Sequence, residues 1–319
     1  MEAATREGGR AAPIRRAPFV YALIVVDAVA VSLFSVATSG TFDWWLIVLG
    51  VIAVGALAVP VPAWLSRWAP MLLIAVVFLS LGGLAHYQGT RAGSTLPIQF
   101  DRAVSGVVVP LWLQEHAPAL LGLPAGALTA EYMLHYATPL LTALWLWRRH
   151  RERFDRFVAT YMLAMVLGFA VYLAFPQTPP WYASQQGLLP PLHRSIIEVL
   201  QSFHAGALYA SADPEPFGAM PSLHVTIPVV VAAEVIGALR SRWRWLWVLY
   251  PATVAFGVLL MAEHYLLDTL GGAAVGLVAL MVVRSLPARV LSGSERDHQT
   301  NGISRRVVHE YSTYSGPRR

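Results

Sequence analysis

Apolar residues run through this chain in long blocks, separated by short polar or proline-bearing links. Eight blocks stand out, at residues 18–39, 44–60, 70–87, 128–147, 157–175, 221–239, 245–263 and 268–286. Each is close to the ~20 helical residues that cross a hydrocarbon core of about 30 Å. The pattern predicts an all-α fold, a polytopic membrane helical bundle of about eight transmembrane helices. The second and third blocks are short and are separated by the Pro60–Pro70 stretch, where proline fits a helix break at the interface. Arg15 and Arg16 precede the first block, which is too long for the apolar region of a signal peptide and has no small-residue cleavage site after it. It reads as an anchor.

Composition agrees with the blocks. Hydrophobic residues make up 56% of the chain and charged residues 13%, about half the charged share of an ordinary soluble domain. That excludes disorder, a coiled coil and a water-soluble enzyme. With no cysteine among the 319 residues, disulfides, thiolate metal sites and cysteine nucleophiles are excluded as well.

The net charge of +5 rests on 23 arginines and no lysine. They fall in clusters: Arg6, Arg10, Arg15 and Arg16 before the first block, Arg67 between the second and third, and Arg148, Arg149, Arg151, Arg153 and Arg156 after the fourth. Arg240, Arg242 and Arg244 follow the sixth, and Arg284 and Arg289 end the eighth. Eight spans put all of these on one side, which the positive-inside rule makes cytoplasmic, and leave Arg91, Arg102 and Arg194 opposite. Short clusters of this kind orient a membrane protein; they are not a nucleic-acid footprint. Both termini are then cytoplasmic, and the protein is expected in a bacterial plasma membrane.

The resulting division is a cytoplasmic tail at 1–17, N-terminal transmembrane helices at 18–87, a core with outer-face loops at 88–289, and a disordered cytoplasmic tail at 290–319. Two outer segments are long. Residues 88–127 hold an apolar piece too short to span. Residues 176–220 hold two Pro-Pro pairs, a short amphipathic helix expected near 193–209, and the run DPEPFGAMPSLH. Loops of this length are usually functional.

Polar residues at the block ends carry the candidate chemistry. Ser222 and His224 open the sixth block, His264 closes the seventh and Asp268 opens the eighth. His264 and Asp268 are four apart and share a helical face. The topology brings all four to the outer boundary. Two imidazoles, one backed by a carboxylate, suit nucleophilic and acid–base work on a phosphate ester. No acidic cluster for Mg²⁺ accompanies them, so neither metal nor cofactor is expected.

Pro221-Ser222-Leu223-His224 followed by His264-Tyr265-Leu266-Leu267-Asp268 resembles the second and third signature motifs of the type 2 phosphatidic acid phosphatase superfamily. One branch is especially similar, the fungal inositol phosphorylceramide synthases and their bacterial relatives. Its marks here are Phe175-Pro176, Pro179-Pro180-Trp181-Tyr182, Phe217-Gly218-Ala219-Met220, and Gly271-Gly272. The resemblance covers roughly residues 95–285. It implies a six-helix phosphatase or phosphotransferase core after two extra spans, His264 as a nucleophile forming phosphohistidine, Asp268 orienting it, His224 as acid then base, and Ser222 on the phosphoryl oxygens. Two departures mark this chain. Val258 stands six residues before His264, where the phosphatase branch has Arg, and the Lys opening that branch's first motif has no counterpart.

The remaining candidates stay open at this level. Arg102 beside Asp101 is either a local ion pair or a phosphate ligand, and Arg194 beside His193 is a further ligand candidate. Glu131 and His135, four apart inside the fourth block, are either a structural bond between helices or a substrate contact. Trp112, Trp181 and Tyr182 read as interfacial aromatics, His86 as structural, and Gly272-x₃-Gly276 as close helix packing. The expected substrates are a phospholipid or polyprenyl-phosphate donor and a lipid, glycolipid or water acceptor, with inositol phosphate one headgroup. Water as acceptor makes the protein a phosphatase. From other classes, a non-catalytic lipid transporter or scaffold would place its polar groups at the midplane of repeated halves. A serine protease built on Ser222 leaves the His264–Asp268 pair without a role.

Overall fold

The computed structural model describes residues 67–71, 74, 92–204, 218–287 and 290–291. The blocks expected at 18–39 and 44–60, most of 70–87, the N-terminal tail and nearly all of the C-terminal tail lie outside the described residues.

Two short helices open the continuous part. Helix α1, Thr95–Ser105, ends where Gly106 takes a left-handed φ of 78° and returns its N–H to Arg102 O, a closure that favours a residue without Cβ. Helix α2, Val109–His116, starts with a proline in its first turn. After a 3-10 turn at Pro118–Leu121, helix α3 runs from Leu123 to Arg149 and α4 from Arg151 to Ala174. Helices α5, Pro180–Gln185, and α6, Ser195–Ser202, occupy the second long loop. Helix α7 is Leu223–Ala238; a 3-10 stretch at Arg242–Val248 feeds α8, Leu249–Leu260; α9 is Leu266–Ser285.

The last five apolar blocks are thus helices, with one local difference. The arginine-rich link expected between the fourth and fifth is no loop: only His150 separates α3 from α4, and Arg151, Arg153 and Arg156 are helical. Among the described residues, three helical stretches are long and apolar enough to cross a membrane: Arg151–Ala174, Arg242–Leu260 and Leu266–Ser285. Helix α7 is equally apolar but has 16 residues, about 24 Å at 1.5 Å per residue. Helix α3 has 27 residues but is diluted by Thr129, Glu131, His135 and Thr138.

The main core packs α3, α4, α7 and α9 around Leu146, Phe154, Phe157, Met162, Val230 and Val283, with Met71 and Ile74 against it. Helices α7 and α9 are in close contact at Gly272, where a Cβ would overlap the carbonyl oxygen of Ser222. Thr226 Oγ1 donates to Gly272 O at 2.8 Å across the same contact. This is the small-residue packing expected of a membrane helix pair.

The two ends of the bundle differ in character. At one end Arg153 lies 3.8 Å from Glu234 on α7, and Arg67 lies 3.7 Å from Asp155. At the other end the loops are stitched together. Gln177 forms isolated parallel bridges with both Gly93 and Gly218, Ser94 and Thr178 share a hydroxyl hydrogen bond, and Gln114 Nε2 donates to Leu260 O at 2.7 Å.

Candidate active site

The stitched end holds the motif residues. Helix α8 closes with Glu263 and His264 both donating their N–H groups to Val258 O, at 3.0 and 3.1 Å. Ala262 adopts a φ of 60° to make this turn, a conformation that costs an L-residue about 1–2 kcal/mol. Trp181 N–H holds the strained peptide by donating to Ala262 O at 3.1 Å. The turn delivers His264 to the first turn of α9, where Asp268 Oδ2 accepts the Tyr265 N–H at 2.8 Å. His264 Nδ1 lies 3.6 Å from the same oxygen, an ion-pair distance longer than a hydrogen bond.

Ser222 and His224 come from the start of α7. The Ser222 N–H donates to Asp268 O at 2.9 Å, and the His224 and His264 rings are 5.8 Å apart between centroids. The His224 ring stacks on Tyr132 at 3.8 Å with an interplanar angle of 19°. His135 closes the other side, edge-on at 4.1 Å. His135 Nδ1 donates to Tyr132 O at 2.9 Å, which leaves its Nε2 as the acceptor nitrogen.

Ser222 Oγ, His224 Nε2, His264 Nδ1 and Asp268 Oδ1 are buried and make no hydrogen bond within the described structure, and the same holds for Trp181 Nε1 and the Tyr265 hydroxyl beside them. Buried polar atoms are satisfied in the great majority of cases, and these lie together at the start of α7 and α9. Among the described residues, no group of three or more histidines and carboxylates is arranged to hold a metal ion.

The other candidates divide. Arg194 reaches the site's edge, where its guanidinium pairs with Glu263 through both carboxylate oxygens, at 2.8 and 3.1 Å, and stacks 4.0 Å over Trp181. Asp101 is fully buried and accepts two backbone N–H groups, from Val109 at 3.1 Å and Leu266 at 3.0 Å. Burial pushes its carboxyl up to about 6, with the Asp268 charge adding to the shift and the amides of Val109, Leu266 and Leu267 opposing it. Arg102 is exposed on α1, and the two neighbours do not share one environment. Glu131 accepts from Thr253 Oγ1 at 2.5 Å, a helix-to-helix bond.

Sequence reasoning missed Tyr132, Glu263 and Trp181. Tyr132 is one turn before His135, and Glu263 adjoins His264, so both carried a positional signal. Trp181 read as interfacial because its partners are distant in sequence.

The model of the PAP2 superfamily matches residues 98–282. A phosphoinositol dihydroceramide synthase of Bacteroides thetaiotaomicron is 26% identical over 160 residues, 46% of this chain and 51% of that one. An inositol phosphorylceramide synthase of Candida albicans is 30% identical over 120 residues, 35% of this chain and 25% of that one. The inositol phosphorylceramide synthase catalytic subunit of Schizosaccharomyces pombe is 24% identical over 135 residues, 40% and 32% of the two chains. The chain thus spans about half the length of the bacterial relative and less of the fungal ones. No solved structure matches it. The apolar helices make this an integral membrane protein, and with more than half of its length matched by the family model, the chain belongs to the PAP2 superfamily.

Proposed function

We propose that the protein is a membrane phosphotransferase that moves a phospho-headgroup from a lipid donor to a lipid or glycolipid hydroxyl through a phosphohistidine. The observation that carries this reading is the opposition of the His224 and His264 rings, with Asp268 3.6 Å behind His264 Nδ1. A carboxylate on Nδ1 leaves Nε2 as the attacking nitrogen and stabilises the imidazolium that forms.

In the first half, His264 Nε2 attacks the donor phosphorus. A P–N bond forms, the bond from phosphorus to the leaving oxygen breaks, and His224 gives that oxygen a proton. In the second half, His224 takes the proton of the acceptor hydroxyl as its oxygen attacks phosphorus and the P–N bond breaks. Ser222 Oγ, buried and unpaired within the described structure, donates to a phosphoryl oxygen. Arg194, paired with both oxygens of Glu263 beside His264, borders the headgroup end of the site. No metal ion or cofactor takes part.

The names of the relatives, a phosphoinositol dihydroceramide synthase and two inositol phosphorylceramide synthases, support a phosphoinositol lipid as donor and a sphingoid-type hydroxyl as acceptor. A polyprenyl phosphate is the other donor class, and water as acceptor makes the same machinery a phosphatase. The clustering of arginines at the end opposite the histidines supports a site on the outer face of a bacterial plasma membrane, with both termini cytoplasmic.

The test is incubation of the purified protein with a labelled lipid panel, with and without alcohol acceptors and EDTA. Headgroup transfer that survives chelation is expected. Free phosphate as the sole product would assign the phosphatase reaction, and loss on chelation restored by Mg²⁺ would overturn the metal-free mechanism.

A further inference from the structure

We infer that Asp101 is a positioning residue that fixes the catalytic turn to the outer helices, and not a ligand of the phosphate. The inference rests on the proposed role of His264 and Asp268.

The carboxylate is fully buried and bridges two helix starts. Its Oδ2 accepts from Val109, the first residue of α2, and its Oδ1 from Leu266, the first residue of α9 and 165 positions away. The first amides of a helix have no partner within it and carry its positive end. One buried anion satisfies such an amide on each of two helices. With both oxygens accepting from backbone amides, the ionised group has no donor to offer a phosphate.

Its value lies in where Leu266 stands, two residues after His264 and two before Asp268. The neighbouring amide, Tyr265 N–H, is taken by Asp268 Oδ2 at 2.8 Å. Consecutive amides of the catalytic turn are therefore held by two carboxylates, one from within α9 and one from α1. The charge that bears on Asp101 is that of Asp268 in α9; the nearby Tyr265 is a buried neutral phenol, and Arg102 of its own helix is exposed. If Asp268 alone held the turn, the His264 ring would keep its carboxylate neighbour but lose its tie to α1 and α2. Misplacements of about 1 Å at a reacting group cost on the order of 10²-fold in rate.

Two variants test this in the full chain. Asp101→Asn leaves one acceptor oxygen and sets an NH₂ group against an amide donor. Leu266→Pro removes the N–H while keeping the carboxylate, at a first helical position where proline is tolerated and after a residue, Tyr265, already extended at ψ 171°. The probes are a fluorescent phosphatidylinositol with ceramide as acceptor, and hydrogen–deuterium exchange of peptides covering 262–270.

The expected result for both variants is a kcat lowered about 10²-fold, a donor KM within about twofold of wild type, and faster exchange confined to 262–270 and the start of α2. A raised KM with kcat and exchange unchanged would mean that Asp101 binds phosphate and would overturn the inference. Faster exchange throughout the bundle would reduce Asp101 to a fold residue and overturn it too. If the wild type does not turn over this donor, the function proposed above fails for that substrate. The exchange arm still decides: local release upholds the Asp101 tie, and unchanged exchange at 262–270 rejects it.

Discussion

Ser222 donates its backbone N–H to the carbonyl oxygen of Asp268 at 2.9 Å, so the two signature motifs, far apart in sequence, are joined through the main chain. The bond sets the start of α7 against the first turn of α9 and brings His224 to face His264. Side-chain substitution does not remove it, so variants at these positions report on chemistry with the scaffold in place.

The two histidines should therefore fail differently. His264→Ala should abolish the covalent intermediate and all turnover, since nothing else replaces the nucleophile. His224→Ala should lose about 10²–10⁴-fold with an alkoxide leaving group and far less with a p-nitrophenyl-type one, which needs little protonation. Asp268→Asn should keep an oxygen for the Tyr265 N–H and slow attack without loss of fold. Kinetics with poor and good leaving groups would separate these roles. A good leaving group that rescued His264→Ala and not His224→Ala would reverse the assignment.

Gly272→Ala should be among the most damaging small substitutions in the bundle. Its methyl would collide with the backbone oxygen of Ser222, whose N–H is bonded to Asp268 O of α9. Overpacking of this kind costs about 1–3 kcal/mol, and any separation of α7 from α9 displaces His224 from His264. Thermal unfolding in detergent together with turnover checks this: a variant with wild-type values of both would show that the contact tolerates a Cβ.

Stability should carry a signature of Asp101 in acid. Its carboxyl lies near 6 in the fold against an ordinary 3.8. Below 3.8 both folded and unfolded chains hold the proton; between 3.8 and about 6 only the folded chain does; above that neither does. Stability from this group is thus fully present below 3.8 and is lost as the pH rises to about 6. Asp101→Asn should remove that descending component from the stability-versus-pH curve. Identical curve shapes for the two proteins between pH 4 and 6 would contradict the shift.

The proposed orientation is open to direct labelling, because the chain has no native cysteine to give background. Gln186→Cys, on the stitched end, should react with an impermeant thiol reagent in intact cells. Glu152→Cys, at the arginine-rich end, should react only after permeabilisation; both side chains are exposed. The reverse pattern would place the site on the cytoplasmic face.

The last five apolar blocks and the paired motifs were legible because each signal is local: a run of apolar residues, a four-residue spacing, a serine two before a histidine. What escaped depends on contacts between distant segments. Arg194 looked like a free cation for phosphate, yet it meets Glu263, 69 positions away. Asp101 looked like a partner for Arg102, yet its bonds go to Val109 and Leu266. The ring against His224 comes from Tyr132; its spacing from His135 marks a shared helix face but not the contact with α7. The expected loop after the fourth block vanished because arginine is a good helix former, and periodicity alone does not show where a charged helix end begins.

The bond between Leu266 and Asp101 also bears on the order in which the protein is made. A membrane chain emerges from its N-terminus, so α1 and Asp101 are synthesised 165 residues ahead of the amide that one of their oxygens will hold. A nascent chain that has just completed α8 already carries Ser222, His224, His135 and Arg194, but neither the nucleophile nor the carboxylate behind it. In the proposed mechanism, catalytic competence therefore arrives only with α9, whose first turn brings Asp268 to His264 and the Leu266 amide to Asp101.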